Sequence, residues 1–160
     1  MQIDPNVYLV GSGQFGFDMT ERFDCNIYLF KAADTCMLFD AGAGLDVSQI
    51  INVCRQDGLD LKRINHLFLT HAHTDHGGGA AHLRQQLDLS VYASGATAKI
   101  VTTGDEAAVS LPEAKEAGSY PTDYQYKPCP VERVLKEGEV VIFEPFKIEL
   151  IATSGHSHDH

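Results

Sequence analysis

The chain has 160 residues, with 22 acids against 12 bases and a net charge of −10. That length supports one domain with a buried core, and no apolar run approaches the roughly 20 residues needed to cross a bilayer. The acidic balance and the absence of a Lys/Arg cluster speak against nucleic acid or an anionic membrane as partner. No basic region followed by an apolar stretch opens the chain, so no secretory signal is read. Four scattered cysteines (Cys25, Cys36, Cys54 and Cys129), without a CxxC pair, read as reduced, mostly buried thiols of a cytoplasmic protein.

Val7 to Val10 reads as a strand followed by a glycine-rich turn. Asn26 to Phe30 and Cys36 to Phe39 read as two strands joined around Ala32-Ala33-Asp34, and Asp40-Ala41-Gly42-Ala43-Gly44 breaks the chain. Asp46 to Arg55 is predicted helical, because Val47, Ile50, Ile51 and Cys54 follow the i, i+3, i+4, i+7 pattern and Asp46 can cap the start. Ile64 to Leu69 is a buried strand, Ala80 to Leu87 a helix, Ser90 to Ala93 a strand and Ala96 to Thr103 a helix. Residues 105 to 130 hold four prolines and read as a partly helical excursion, then loop. Val131 to Leu135, Val140 to Phe143 and Phe146 to Ile151 read as three strands. This succession predicts sheet layers covered by helices, with a site at strand ends.

Thr70-His71-Ala72-His73-Thr74-Asp75-His76-Gly77-Gly78-Gly79 packs three imidazoles and a carboxylate into six positions, directly after a buried strand. The glycines let backbone approach something closely, so His71 to His76 is placed on a loop at the strand end. In an extended loop His71 and His73 share a face, and Asp75 and His76 curl back as a second set. Of eight histidines, four lie between His66 and His76 and three between His156 and His160, so both clusters are expected at one metal site. Neutral imidazole with carboxylate suits zinc best, as one or two ions, with iron or manganese also accommodated.

With these residues in view, the chain resembles the metallo-β-lactamase superfamily. Its HxHxDH signature stands as His71 to His76, followed by Gly77-Gly78. Asp40-Ala41-Gly42 resembles the upstream Asp-x-Gly turn, and Thr153-Ser154-Gly155-His156-Ser157 resembles the later TPGH-S/T element, with Ser154 replacing proline. The motif form is most similar to glyoxalase II, lactonases and related hydrolases. The resemblance implies an α+β fold, an αββα four-layer sandwich. It also implies that His71, His73 and His156 hold a first metal and that Asp75 and His76 contribute to a second. The family uses a metal-bound hydroxide, since the ion lowers the pKa of water from about 16 to about 7. Asp75 is the implied catalytic residue, orienting the hydroxide or shuttling its proton, and Asp40 an acceptor behind the metal loop. The diiron oxygen-reducing branch carries Glu where this chain has His73, and is disfavoured.

Family members continue past the TPGH element to a bridging Asp and a final His. The fold is therefore expected with its C-terminal part missing: residues 1–160 as a single, incomplete metallo-β-lactamase-like domain, its open apolar faces prone to self-association. His158, Asp159 and His160 are expected beside the site or as a fraying terminus rather than as ligands. The expected function is metal-dependent hydrolysis of a small ester, thioester, lactone or amide. The alternatives are a mononuclear iron dioxygenase of the same fold and a catalytically inactive truncated domain.

Gly11-Ser12-Gly13-Gln14-Phe15-Gly16 matches the dinucleotide fingerprint GxGxxG, but the strand formers of Asn26 to Phe30 favour a hairpin over the helix that fingerprint needs. His66 and His82 read as core, edge or surface residues. Tyr120, Tyr124 and Tyr126 read as packing of the excursion rather than as a pocket lining.

Overall fold

The computed structural model describes residues 1–160. Strands β1 (Gln2–Asp4), β2 (Val7–Gly11), β3 (Ile27–Lys31) and β4 (Cys36–Phe39) pair antiparallel in chain order. Strands β5 (Ile64–Phe68), β6 (Ser90–Ser94) and β7 (Arg133–Leu135) extend the same seven-stranded sheet in parallel. Hairpins suffice for the first half, whereas each parallel step needs a crossover. Helix α1 (Val47–Gln56) joins β4 to β5, α2 (Thr74–Gly77) and α3 (Ala80–Gln86) join β5 to β6, and α4 (Gly95–Thr103) with α5 (Leu111–Glu116) joins β6 to β7. A separate hairpin follows, β8 (Val140–Phe143) with β9 (Phe146–Glu149).

Side-chain alternation assigns the layers. Ile27 and Leu29 of β3, Cys36 and Leu38 of β4, and Val91 and Ala93 of β6 join the helices in one core. Met37, Phe68 and Tyr92 point the other way, into a smaller aromatic core closed by Val141, Phe143 and Phe146 of the hairpin. Leu29, Leu38, Ile64 and Leu67 are wholly buried, each adding about 1.5–3 kcal/mol by leaving water. A helix layer, the seven-stranded sheet and two strands of a second sheet are thus built by these residues; the fourth, outer helix layer is not.

The four apolar positions read on α1 are its buried residues, and Asp46 caps it by accepting from Ser48 N–H at 3.2 Å. Some readings needed correction, among them the strand read from Val131, which starts at Arg133. The metal loop is extended only through His73 and then winds a single helical turn, α2. The strand β1, three exposed residues that the sequence did not mark, adds an edge. The last strand ends at Glu149 rather than Ile151. The glycine-rich segment after β2 leads into no helix but returns as antiparallel β3, which removes the dinucleotide fingerprint. All four cysteines are free, and no helix is long and apolar enough to cross a membrane.

Candidate metal centre

The metal loop leaves β5 at its C-terminal end, where the neighbouring strand β4 also ends and turns. There Asp40 adopts a left-handed φ of 66°, a conformation that Asp tolerates better than most residues. Its carboxylate thereby reaches back to the loop. Oδ1 accepts from Thr70 N–H at 2.9 Å, and Thr70 Oγ1 lies 2.9 Å from Oδ2. Oδ2 also takes His76 Nδ1 at 2.8 Å. The turn bearing Asp40 is itself clamped by buried Asp24, whose carboxylate accepts from Ala43 N–H at 2.9 Å and Thr20 Oγ1 at 2.7 Å. Burial lifts the Asp24 pKa to about 6 despite those bonds.

The close approach inferred from the three glycines is to protein, not ligand. A Cβ on Gly79 would collide with the Ala41 carbonyl, and side chains on Gly77 or Gly78 would meet the hydroxyls of Tyr126 and Tyr124. Tyr124 donates to the Ala43 carbonyl at 2.6 Å. The tyrosines therefore pack the back of the metal loop.

The network fixes the ring tautomers. Thr70 has one hydroxyl hydrogen and gives it to Asp40, so His71 Nδ1–H donates to Thr70 Oγ1 at 3.0 Å. That leaves His71 Nε2 as a bare lone pair, buried and without a partner. Burial, reinforced by His76 and His73, lowers the His71 pKa to about 3, so the ring stays neutral. His73 Nδ1 and His156 Nε2 lie 3.0 Å apart, and donors of His71, His73 and His156 all fall within 4.8 Å of one another. An orphaned buried nitrogen at a point where two more imidazoles converge fits a metal ion of the zinc type.

Asp75 and His76 form the adjoining set. The turn α2 brings the His76 ring to 4.1 Å from that of His71, centroid to centroid. Its Nδ1 is committed to Asp40, and its Nε2 faces the half-exposed Asp75 carboxylate at 3.4 Å. Burial alone would pull the His76 pKa down, but the bond and charge of Asp40 and the charge of Asp75 carry it above the usual histidine value. Cys25, Asp40 and His76 also approach within 4.8 Å. We discount that trio as a donor set, because Asp40 is occupied by Thr70 and His76. Burial, with Asp40, Asp75 and Asp24 nearby, also pushes the Cys25 thiol far up.

The structure brings together His71, His73, His156, Asp75 and His76, with Asp40 behind them. His66 packs against the Tyr92 and Phe143 rings, and His82 lies on α3. Of the C-terminal trio, His158 is exposed and the His160 ring stands 5.0 Å from that of His71. Asp159 does not fray: it is 5% exposed and bonded to the metal loop. The roles of Thr70 and Asp24, and the bond by which Asp159, expected beside the site, reaches the metal loop, escaped sequence reasoning, since the partners are 30, 19 and 87 residues away. A cavity of about 580 Å³ lies between Phe68 and Tyr92 of the sheet, Ile148 of the hairpin and His160; none of the five donor residues lines it.

A helix-backed mixed sheet with a histidine-rich cluster, able to hold a metal ion, at the ends of its parallel strands defines an α+β sandwich of the αββα kind. The family model of the metallo-beta-lactamase superfamily matches residues 20–160, and the chain belongs to that superfamily. A curated relative, the lactamase-like protein nscB of Neosartorya fischeri, is 28% identical over 137 residues, covering 84% of this chain and 32% of that protein. The Cronobacter sakazakii metallo-beta-lactamase with a HARLDQ motif superposes with a TM-score of 0.80 at 23% identity, over 99% of this chain and 56% of its own. That motif has Arg and Gln where HAHTDH here has His73 and His76. BJP-1, a subclass B3 metallo-beta-lactamase of Bradyrhizobium japonicum, gives a TM-score of 0.78 at 23% identity, over 99% and 53% respectively. The chain thus spans about a third of the curated relative and about half of these solved structures.

Proposed function

We propose that this chain carries the metal centre of a hydrolase acting on a small ester, thioester, lactone or amide, with zinc as the resident ion. The observation that carries the reading is the bare, buried His71 Nε2, set among His73 and His156 by a hydrogen-bond chain from Asp40. His71, His73 and His156 would hold one ion, and Asp75 with His76 would contribute to a second. Such an ion supplies Lewis acidity, acidifying water toward neutral pH and stabilising an oxyanion. The Asp75 carboxylate, half exposed beside His76 Nε2, is placed to orient water and take its proton. Asp40 and Thr70 hold the two ring tautomers that leave the outer nitrogens free. The likeness of the motif to glyoxalase II and lactonases supports the acyl substrate class. The four free thiols support a reducing compartment, the cytoplasm.

Purified protein should contain stoichiometric metal and turn over an ester, thioester or lactone panel, and His71→Ala or His73→Ala should abolish both. Unchanged metal content and turnover in those variants would refute the proposal. Iron loading with oxygen uptake on persulfides would replace it by the dioxygenase reading.

A further inference from the structure

His156 is carried by the segment from Thr153 to His160, most of which is exposed. The segment closes on itself. Thr153 N–H donates to the His160 carbonyl at 2.9 Å and Gly155 N–H to the Ser157 carbonyl at 3.2 Å. Ser154 Oγ donates to the His158 carbonyl at 3.2 Å, and Thr153 Oγ1 pairs with His160 Nδ1 at 2.7 Å. Apart from the His73–His156 pair, every hydrogen bond from this closed loop to the rest of the chain runs through Asp159. Its Oδ2 accepts from Ala72 N–H at 2.8 Å and from Thr97 Oγ1 at 3.1 Å. Its carbonyl faces the hydroxyls of Thr97 at 3.1 Å and Ser94 at 3.4 Å. Its Oδ1 accepts from Ser157 Oγ at 2.7 Å, next to His156.

Ala72 is the residue between His71 and His73. We propose that Asp159 is a positioning residue for the metal centre: by fastening the closed loop to the peptide between two ligands, its carboxylate sets where His156 stands relative to His71 and His73. The proposal rests on the metal-centre reading above. The geometry gives it a direction. A carboxylate can accept from Ala72, Thr97 and Ser157 at once, whereas an alanine side chain accepts from none and leaves the loop only the residue 159 carbonyl and the His73–His156 pair as ties. Asparagine keeps one oxygen for Ala72 N–H and can turn its NH₂ toward Ser157 Oγ, so it should restore much of the tether.

Cobalt(II) titration of the 160-residue chain tests this through affinity and visible spectrum, independent of turnover. Asp159→Ala should weaken cobalt binding at least tenfold, the scale of outer partners of metal ligands, and weaken the tetrahedral absorption bands. Melting of the metal-free chain should stay nearly unchanged, because the loop contributes little core. Asp159→Asn should recover most of the affinity. The discriminating measurement is a double-mutant cycle: added to His156→Ala, Asp159→Ala should cost little more. Unchanged affinity and spectrum in Asp159→Ala, or full additivity with His156→Ala, would overturn the proposal while leaving the metal centre standing. A wild-type chain that binds no cobalt would overturn both.

Discussion

Asp24 offers a test of how the site is held, independent of any metal. Its side chain is 8% exposed in the protein, and its pKa rises from 3.8 to about 6, chiefly through burial. Below pH 3.8 the group is protonated in both folded and unfolded chains, and its contribution to stability is fully present. As pH rises toward 6 the unfolded chain ionises first, and stability is lost. At 1.36 kcal/mol per pKa unit the loss totals about 3 kcal/mol above pH 6. Asp24→Asn removes that titration and keeps an oxygen for Ala43 N–H, at the cost of about 1 kcal/mol for the rearranged Thr20 bond. The variant should therefore be about 2 kcal/mol more stable than wild type at pH 8, and about 1 kcal/mol less stable at pH 3.5. Urea unfolding of both proteins in chelator from pH 3.5 to 8 measures the difference, and background titration of the other acids cancels in it. A difference that does not change with pH would refute the assignment of Asp24 as a buried carboxylate holding the Asp40 turn.

Asp40→Asn puts an NH₂ or a lone oxygen where His76 Nδ1–H and Thr70 both need acceptors. The His76 proton should move to Nε2 and weaken a second ion about 10–100-fold, read as a drop in zinc stoichiometry in a chelator competition. Gly79→Ala drives a Cβ into the Ala41 carbonyl; an overpacking cost of about 3 kcal/mol should lower the melting midpoint by about 6–12 °C, checked by circular dichroism. The exposed Val134, Val140, Ile142 and Ile151 should drive self-association of the chain, and a single monomer species in sedimentation velocity at micromolar concentration would contradict that.

The legible parts of this fold are those where neighbours in sequence carry the signal. Helix α1 announces itself because Val47, Ile50, Ile51 and Cys54 repeat at the helical period, and β4 to β6 because both sheet faces are apolar. The single turn α2 is too short to show any period, and distant ties place it: Asp40 on the His76 ring, and the Cys25 and Ala41 N–H groups on the Asp75 and His76 carbonyls. The residues that cluster were readable, since HxHxDH is local chemistry. Most of their supports were not. Apart from Asp40, which the Asp-x-Gly turn marks, Asp24 meets Ala43 and Asp159 meets Ala72 only after the sheet is assembled, and each is one acid among 22 along the chain.

Those supports differ in strength, and the difference orders the assembly of the centre. His71, His73 and His76 project from a loop wedged between core strands, with Gly79 against Ala41, Tyr124 bonded to Ala43 and Asp40 bonded to Thr70. That half is set by folding alone. His156 sits on an exposed loop whose hydrogen-bonded ties are Asp159 and its own contact with His73. An ion would meet a rigid partial donor set first and recruit His156 last, so the ordering entropy of binding should fall on the Thr153–His160 loop. Amide hydrogen exchange should then slow on metal addition in that loop and at Ala72, which it caps, while Thr70 and Gly77, bonded to Asp40 and the His73 carbonyl, stay protected with or without the ion.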